Sequence, residues 1–241
     1  MAQHIQSAFD QQLNLISEHI TGMAEMVLAE LDQSLQALAE RNATQASDNL
    51  QSDVLINASE RIIDEEVVRA IVLHQPMAGD CRQLIAALRI SKELERIGDY
   101  SMNVARHSIT LDQLEPTGEE VRVLDMGHAV HTMLQEAVDA YQDMDKKKAQ
   151  MIREQDEAVD ELYSKIFFDL IELNRANPEL SAACAHQMMI ARCFERIGDI
   201  VTDIAEDVLY VIEGEFIEDD RPKADRSASL GLRGDATSNA D

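Results

Sequence analysis

The five residues ERIGD, Glu95–Asp99, occur twice in this chain, and the second copy is Glu195–Asp199. The similarity extends past the motif, because a polar residue follows four positions after each copy, Asn103 in the first and Asp203 in the second. Agreement at several separated positions indicates an internal duplication, and a repeat of this length points to two copies of one structural unit.

A second pair of similar segments lies upstream of the two motifs. Residues 53–57 (DVLIN) correspond to residues 156–160 (DEAVD), and a proline follows each segment at nearly the same distance, Pro76 and Pro178. The duplication therefore includes the element before each motif as well as the motif itself.

Apolar residues recur every three or four positions along most of the chain, which is typical of amphipathic helices. Few prolines and glycines interrupt this pattern, and no alternating pattern typical of strands competes with it. Asp145 is a predicted N-cap and Pro178 a predicted first-turn residue. The predicted helices cover residues 8–41, 44–74, 78–111, 119–144, 146–176 and 178–213.

The predicted fold class is all-α, with two tandem three-helix bundles related by the internal repeat. The first bundle covers residues 8–112 and the second residues 119–216, because long helices joined by short turns pack up-down-up. Residues 112–118 contain Pro116 and Gly118 and form the linker. Residues 218–241 are polar and aperiodic, and we expect a disordered C-terminal tail.

The chain is strongly acidic, with a formal net charge of −25. This charge excludes direct binding to nucleic acid, which needs clustered positive charge, and suits binding of cations or basic surfaces. No apolar run is long enough for a membrane span, and the N-terminus lacks a signal sequence. Three cysteines without CxxC spacing indicate reduced, buried thiols, so the expected location is the cytoplasm.

Carboxylates at i, i+4 spacing form two lines on the predicted helices of each repeat. Residues four apart share a helix face, and like charges at this spacing repel, so a cation or basic side chains must offset the repulsion. Two facing lines of oxygen atoms suit hard cations such as Mg²⁺, Mn²⁺ or iron. The candidate metal ligands are Asp53, Glu95, Asp99, Asp156, Asp160, Glu195, Asp199 and Asp203, with Asn57 and Asn103 as weaker candidates.

Ion pairing is the alternative interpretation of the same carboxylates. On the third helix of each repeat, basic residues lie within helical reach of the carboxylate line. Glycine recurs within each motif, as Gly98 and Gly198, and because glycine is costly inside a helix we expect another backbone to approach closely there. The basic residues concerned are Lys92, Arg96, Arg106, Arg192 and Arg196.

The other candidate sites are weaker. His128 and His131 have three-residue spacing but no counterpart in the first repeat, which favours a surface cluster over a metal site. The absence of a Glu-x-x-His pair argues against a ferritin-like oxidase. No phosphate-binding loop, dinucleotide motif or nucleophile elbow is present, so we identify no catalytic residues and expect no enzyme activity.

At these motifs the sequence resembles the PhoU family over residues 8 to 216. Residues 74–82 (HQPMAGDCR) are similar to the family's QPxAxDLR turn, with Cys81 in place of leucine. The two motifs, read as Leu94–Asp99 and Phe194–Asp199, and the closing segment VLYVIEG at 208–214 also match the family pattern.

The resemblance implies a two-bundle, often dimeric, non-enzymatic regulator. Such proteins act with the ATPase subunit of the high-affinity phosphate transporter and with the phosphate-sensing histidine kinase, and they restrain uptake and starvation signalling when phosphate is plentiful. The family's acidic motifs are linked to bound metal ions. Neutral amides at Asn57 and Asn103 depart from that pattern, so we expect the second bundle to bind a cation more tightly.

Three alternatives to this function remain open from the sequence. If the carboxylates are ion-paired, the protein could be a purely structural adaptor without metal. The carboxylate lines could belong to a helical-bundle metalloprotein or metalloenzyme with a dinuclear centre. The chain could also be a paralogue that serves a sodium–phosphate cotransporter.

Overall fold

The computed structural model describes residues 2–41, 53–216, 224, 225 and 227, with side chains from residue 8 onward except that of Asp53. Within these residues the chain forms six α-helices and no strand, which confirms the predicted all-α fold class. The helices are α1 (Ala2–Glu40), α2 (Asp53–His74), α3 (Ala78–Leu111), α4 (Glu120–Asp143), α5 (Lys146–Ala176) and α6 (Ser181–Glu213).

The helix ends follow the predicted signals closely. The bounds of α3 and α5 are those predicted, and α2 ends at His74, two residues before Pro76. α1 begins earlier than predicted, because its polar first residues contain no proline or glycine to stop the helix. The start predicted for the second helix, residue 44, lies outside the described residues.

The region around Pro178 differs from the predicted start of the sixth helix. Pro178–Leu180 forms a 3-10 turn, and α6 begins at Ser181. At the preceding turn Asp145 caps α5, because its carboxylate accepts hydrogen bonds from the backbone N–H groups of Lys147 (2.9 Å) and Lys148 (3.2 Å). The N-cap prediction is therefore confirmed.

The helices form two three-helix bundles, α1–α3 and α4–α6, that lie side by side. α3 packs along α6, and α1 packs against α4. Most buried apolar side chains of both bundles join in one contiguous core, which also includes Cys184 and Cys193, whereas Ala37 and Ala105 form a small separate cluster. The linker is therefore a chain connection and does not mark a gap in the packing. Cys81 is only half-buried, so the prediction of buried thiols is wrong for this residue.

The two repeated motifs meet near the middle of the α3–α6 contact. At one end Arg89 donates a hydrogen bond to Asp207 (3.0 Å), and at the other the Nδ1 atoms of His107 and His186 are 2.9 Å apart. These two contacts show that α3 and α6 run antiparallel. Because the ERIGD segments lie about midway between the two contacts along both helices, the duplicated motifs face each other across a local two-fold arrangement.

Each helix of the described residues is too short or too polar to cross a membrane.

Gly127 on α4 and Gly22 on α1 occupy corresponding places in the repeat but have different surroundings. A Cβ atom on Gly127 would lie 2.3 Å from Leu35 Cδ2 and 2.8 Å from Phe194 Cζ. A Cβ atom on Gly22 would meet nothing within 4 Å. Only Gly127 is therefore required for close packing between the bundles.

The pair Gly127→Ala and Gly22→Ala tests this difference. Overpacking should make Gly127→Ala destabilising by about 1–3 kcal/mol, whereas Gly22→Ala should stabilise by about 0.5–1 kcal/mol because alanine favours the helix. Urea unfolding of both variants and the wild type measures the effects. Equal effects of the two substitutions would contradict the packing described here.

Candidate functional site

The candidate site lies between α5 and α6 in the second bundle. Asp156 and Asp160 come from α5, and Glu195 and Asp199 come from α6. The first three carboxylates are buried, with relative exposures of 1%, 3% and 5%, and Asp199 is half-buried. Four-residue spacing aligns each pair along its helix, and the packing of α5 on α6 brings the two pairs together as the sequence predicted.

Gly198 provides the space for one of these carboxylates. A Cβ atom at this position would lie 2.9 Å from Asp156 Oδ1 and 3.4 Å from Val159 Cγ1. In the first bundle a Cβ atom on Gly98 would lie 3.2 Å from Ile56 Cδ1. The prediction that a backbone approaches these glycines is therefore wrong, because side chains from the neighbouring helix fill the space in both repeats.

Arginine side chains accompany the buried carboxylates of α6. Arg192 lies 2.9 Å from Glu195 Oε1, and Arg196 lies 3.6 Å from Glu195 Oε2 and 3.5 Å from Asp199 Oδ2. Burial nevertheless raises the pKa of Glu195 to about 7, and the charges of Asp199 and Asp160 add to the effect while the two arginines oppose it. Crowded negative charge is thus a property of this site, and it is only partly compensated.

The equivalent place in the first bundle has a different set of contacts. Lys92 lies 2.9 Å from Glu95 Oε2 on its own helix and 3.2 Å from Glu60 Oε1 on α2. Asp99 is exposed, and Asn103 accepts a hydrogen bond from Arg106 (3.0 Å). Glu95 is therefore ion-paired, as the alternative interpretation predicts. Asn57 is half-buried, and the side chain of Asp53 lies outside the described residues.

Asp203 lies apart from the group to which the sequence assigned it. It is exposed and lines a cavity of about 300 Å³ between α3 and α6, together with Arg89, Glu93 and Asp207. Each four-residue step rotates a side chain by about 40° around the helix, so Asp203 faces the other bundle instead of α5. Burial raises the pKa of Asp207 in this cavity to about 6, against the effect of Arg89.

The second-bundle site consists of carboxylate oxygens, which are the ligands that hard cations prefer, and Gly198 makes room for one of these carboxylates. In the part of the chain that the structure describes, no three His, Cys, Asp or Glu side chains form a group that could hold a metal ion. His128 is exposed and His131 half-buried on α4. Two arginines, Arg192 and Arg196, lie beside the carboxylates of α6.

Residues near the C-terminus also contact this site. The backbone N–H of Ala224 donates to Asp160 Oδ2 (3.0 Å), and Asp225 Oδ2 lies 3.4 Å from Arg192 Nη1. These residues belong to the segment predicted as a disordered tail, of which residues 217–223, 226 and 228–241 lie outside the described part. Sequence reasoning missed these contacts, because a polar and aperiodic segment carries no pattern that indicates where it binds.

Comparison with known proteins agrees with this architecture. The family model named PhoU domain matches twice, at residues 20–108 and 123–208. The chain is 33% identical over 229 residues to a protein of Xylella fastidiosa named phosphate-specific transport system accessory protein PhoU homolog, covering 95% of both chains. A Rhizobium meliloti protein of the same name is 33% identical over 232 residues, covering 95% of this chain and 97% of the relative.

Two solved structures share the fold. The crystal structure of PhoU from Pseudomonas aeruginosa superimposes with a TM-score of 0.83 at 32% identity, covering 86% of this chain and 100% of the other. The structure of the phosphate transport system regulatory protein PhoU from Streptococcus pneumoniae gives a TM-score of 0.81 at 25% identity, covering 87% and 99%. Fold and repeat define a duplicated helical-bundle protein. The chain belongs to the PhoU family.

The buried carboxyl of Glu195 should make stability depend on pH. With a pKa of about 7 in the folded state against 4.5 for an ordinary glutamate, the folded state holds its proton over a wider pH range than the unfolded state. Stability from this group is therefore present below about pH 4.5 and lost as pH rises through 7. Between pH 5 and pH 8, the free energy of unfolding of the wild type should fall by about 2 kcal/mol more than that of Glu195→Gln.

Urea unfolding at several pH values measures this difference. Glu161→Gln makes the same change on the exposed face of α5 and controls for the loss of one charge. Parallel pH profiles of the wild type and Glu195→Gln would show that the site does not perturb this carboxyl.

Proposed function

We propose that the protein is a cytoplasmic accessory regulator of phosphate transport that acts through binding and not through catalysis. The observation that carries this proposal is the similarity over nearly the full length of both chains to relatives named phosphate-specific transport system accessory proteins. Its partners are the ATPase subunit of the phosphate-specific ABC transporter and the phosphate-sensing histidine kinase. Through them it restrains phosphate uptake and starvation signalling when phosphate is plentiful.

The architecture is consistent with such a role. Long helices of a bundle offer extended surfaces for partner proteins, and the acidic surface of this chain suits basic partner surfaces. An accessory protein of this kind needs no membrane insertion of its own, because it can dock on the part of the transporter that faces the cytoplasm.

Deleting the gene tests the proposed role directly. Expression from a promoter that responds to phosphate starvation should rise in phosphate-rich medium, and the rate of phosphate uptake should rise with it. The wild-type gene supplied in trans should restore both values. Unchanged promoter activity and uptake would contradict the proposal, whereas a change in sodium-dependent uptake alone would favour the cotransporter paralogue.

The proposed metal site of the protein lies between α5 and α6. Asp156, Asp160, Glu195 and Asp199 would hold a hard divalent cation such as Mg²⁺ or Mn²⁺, or iron, in the second bundle. Such a cation would neutralise the crowded carboxylates, a change that the two arginines make only in part. The first bundle, where Lys92 is bound to Glu95 and Glu60, should bind a cation more weakly.

An exposed apolar face on α2 supports the proposed homodimer. Of the 15 large hydrophobic side chains that are exposed in the described residues, seven lie on α2, from Val54 to Leu73. The equivalent helix of the second bundle, α5, exposes only Met151 among its described residues. Apolar surface concentrated on one of two duplicated helices is typical of an interaction site.

The charges on this face favour a second copy of the same chain as the partner. Arg61, Glu65 and Arg69 are exposed at four-residue spacing on the same side of α2 as Val68 and Val72. If two α2 helices pack antiparallel about a two-fold axis near residue 67, Glu65 of each copy lies opposite Arg69 of the other. A two-fold interface needs this kind of self-complementary surface.

The matched substitutions Val72→Glu and Val121→Glu test the α2 interface. Both valines are 67% exposed, but Val121 is on α4, away from the proposed interface. Val72→Glu should convert the dimer to a monomer because it buries a charge in an apolar contact, whereas Val121→Glu should leave the dimer intact. Analytical ultracentrifugation measures the mass, and a monomeric wild type at micromolar concentration would contradict the proposal.

A further inference from the structure

The C-terminal residues Ala224, Asp225 and Ser227 bridge the two helices of the second-bundle site. Ala224 donates its backbone N–H to Asp160 on α5, and the adjacent Asp225 contacts Arg192 on α6. Ser227 donates its backbone N–H to Asp225 Oδ1 (2.8 Å) and so orients that carboxylate. Two neighbouring residues thus contact opposite sides of the groove in which the carboxylates lie.

The repeat explains why the second bundle accepts an acidic residue from elsewhere in the chain. In the first bundle Lys92 lies between Glu95 and Glu60, so both acidic partners come from the bundle itself. In the second bundle Arg192 stands where Lys92 does, and Tyr163 stands where Glu60 does. The guanidinium carbon of Arg192 lies 5.4 Å from the centre of the Tyr163 ring, and Asp225 supplies its second carboxylate.

The contacts involve the atoms that a cation would use. The Ala224 N–H points at a carboxylate oxygen of Asp160, and Asp225 binds the arginine that is 2.9 Å from Glu195. We propose that Ala224, Asp225 and Ser227 form an intramolecular cover of the second-bundle site, which must leave before a cation can enter. The cation part of this proposal rests on the metal binding proposed above, whereas the cover itself does not.

Mutual exclusion makes the two events thermodynamically reciprocal. If the docked segment weakens cation binding by some factor, a bound cation weakens docking by the same factor. The C-terminal segment would therefore set the cation concentration at which the second site fills. In the described residues no C-terminal segment contacts the first site, where Lys92 of the same helix is ion-paired with Glu95.

Amide hydrogen exchange of the full-length protein tests the cover without any metal. In Asp225→Ala the Ala224 amide should exchange about tenfold faster than in the wild type, after correction for intrinsic rates, because docking then depends on fewer contacts. Ala224→Pro removes the N–H donor and should increase exchange at Ser227. Asp235→Ala makes the same charge change farther along the chain and should leave exchange at Ala224 unchanged. Equal exchange at Ala224 in the wild type and Asp225→Ala would overturn the cover.

Calorimetric titration with Mn²⁺ tests the competition. Asp225→Ala should bind Mn²⁺ about fivefold more tightly than the wild type and Asp235→Ala. Mn²⁺ should also speed exchange at Ala224 in the wild type. Equal affinities in all three proteins would overturn the competition even if the exchange data support docking. No binding in any of them would overturn the metal proposal and leave the exchange result to decide the cover, and neither outcome bears on the phosphate-starvation response.

Discussion

Four carboxylates packed between α5 and α6 cannot all remain ionised unless positive charge or hydrogen-bond donors lie beside them. Burial raises the cost of each charge, and neighbouring like charges add to it. The second bundle meets this requirement only in part, with Arg192, Arg196 and a backbone N–H from Ala224. The space left by Gly198 admits the carboxylate of Asp156 and so makes the crowding possible. The chemistry of the site follows from this balance.

The two bundles have the same helices, but different side chains balance the charge of their carboxylates. In the first bundle Lys92 joins two carboxylates of adjacent helices, and amides replace two of the acidic positions. In the second, Tyr163 in place of Glu60 leaves the equivalent arginine able to bind Asp225. The same divergence separates Gly127, which is enclosed by Leu35 and Phe194, from Gly22, which has open space. The two repeats thus share their helices but differ in their side-chain contacts.

Much of the fold could be predicted from local signals. Apolar periodicity, the Asp145 cap, Pro76 and Pro178 predicted most helix ends, although the sixth helix begins at Ser181 and not at Pro178. The repeated motif predicted the two bundles. The convergence of Asp156 and Asp160 with Glu195 could also be predicted, because helical spacing and adjacency of the two helices are enough. The position of Asp203 could not be assigned correctly by spacing alone, since the rotation along α6 turns it towards α3. The contacts of Asp225 and the exposed face of α2 depend on tertiary packing, which no single segment of sequence reveals.

Anomalous diffraction from crystals soaked in Mn²⁺ measures the inequality of the two sites. A peak beside Asp156, Asp160 and Glu195, with Ala224 and Asp225 displaced and no peak of similar height beside Glu95, is the expected result. A stronger peak in the first bundle would contradict this inequality, and a manganese ion in the second bundle with the Ala224–Asp160 hydrogen bond intact would contradict the displacement.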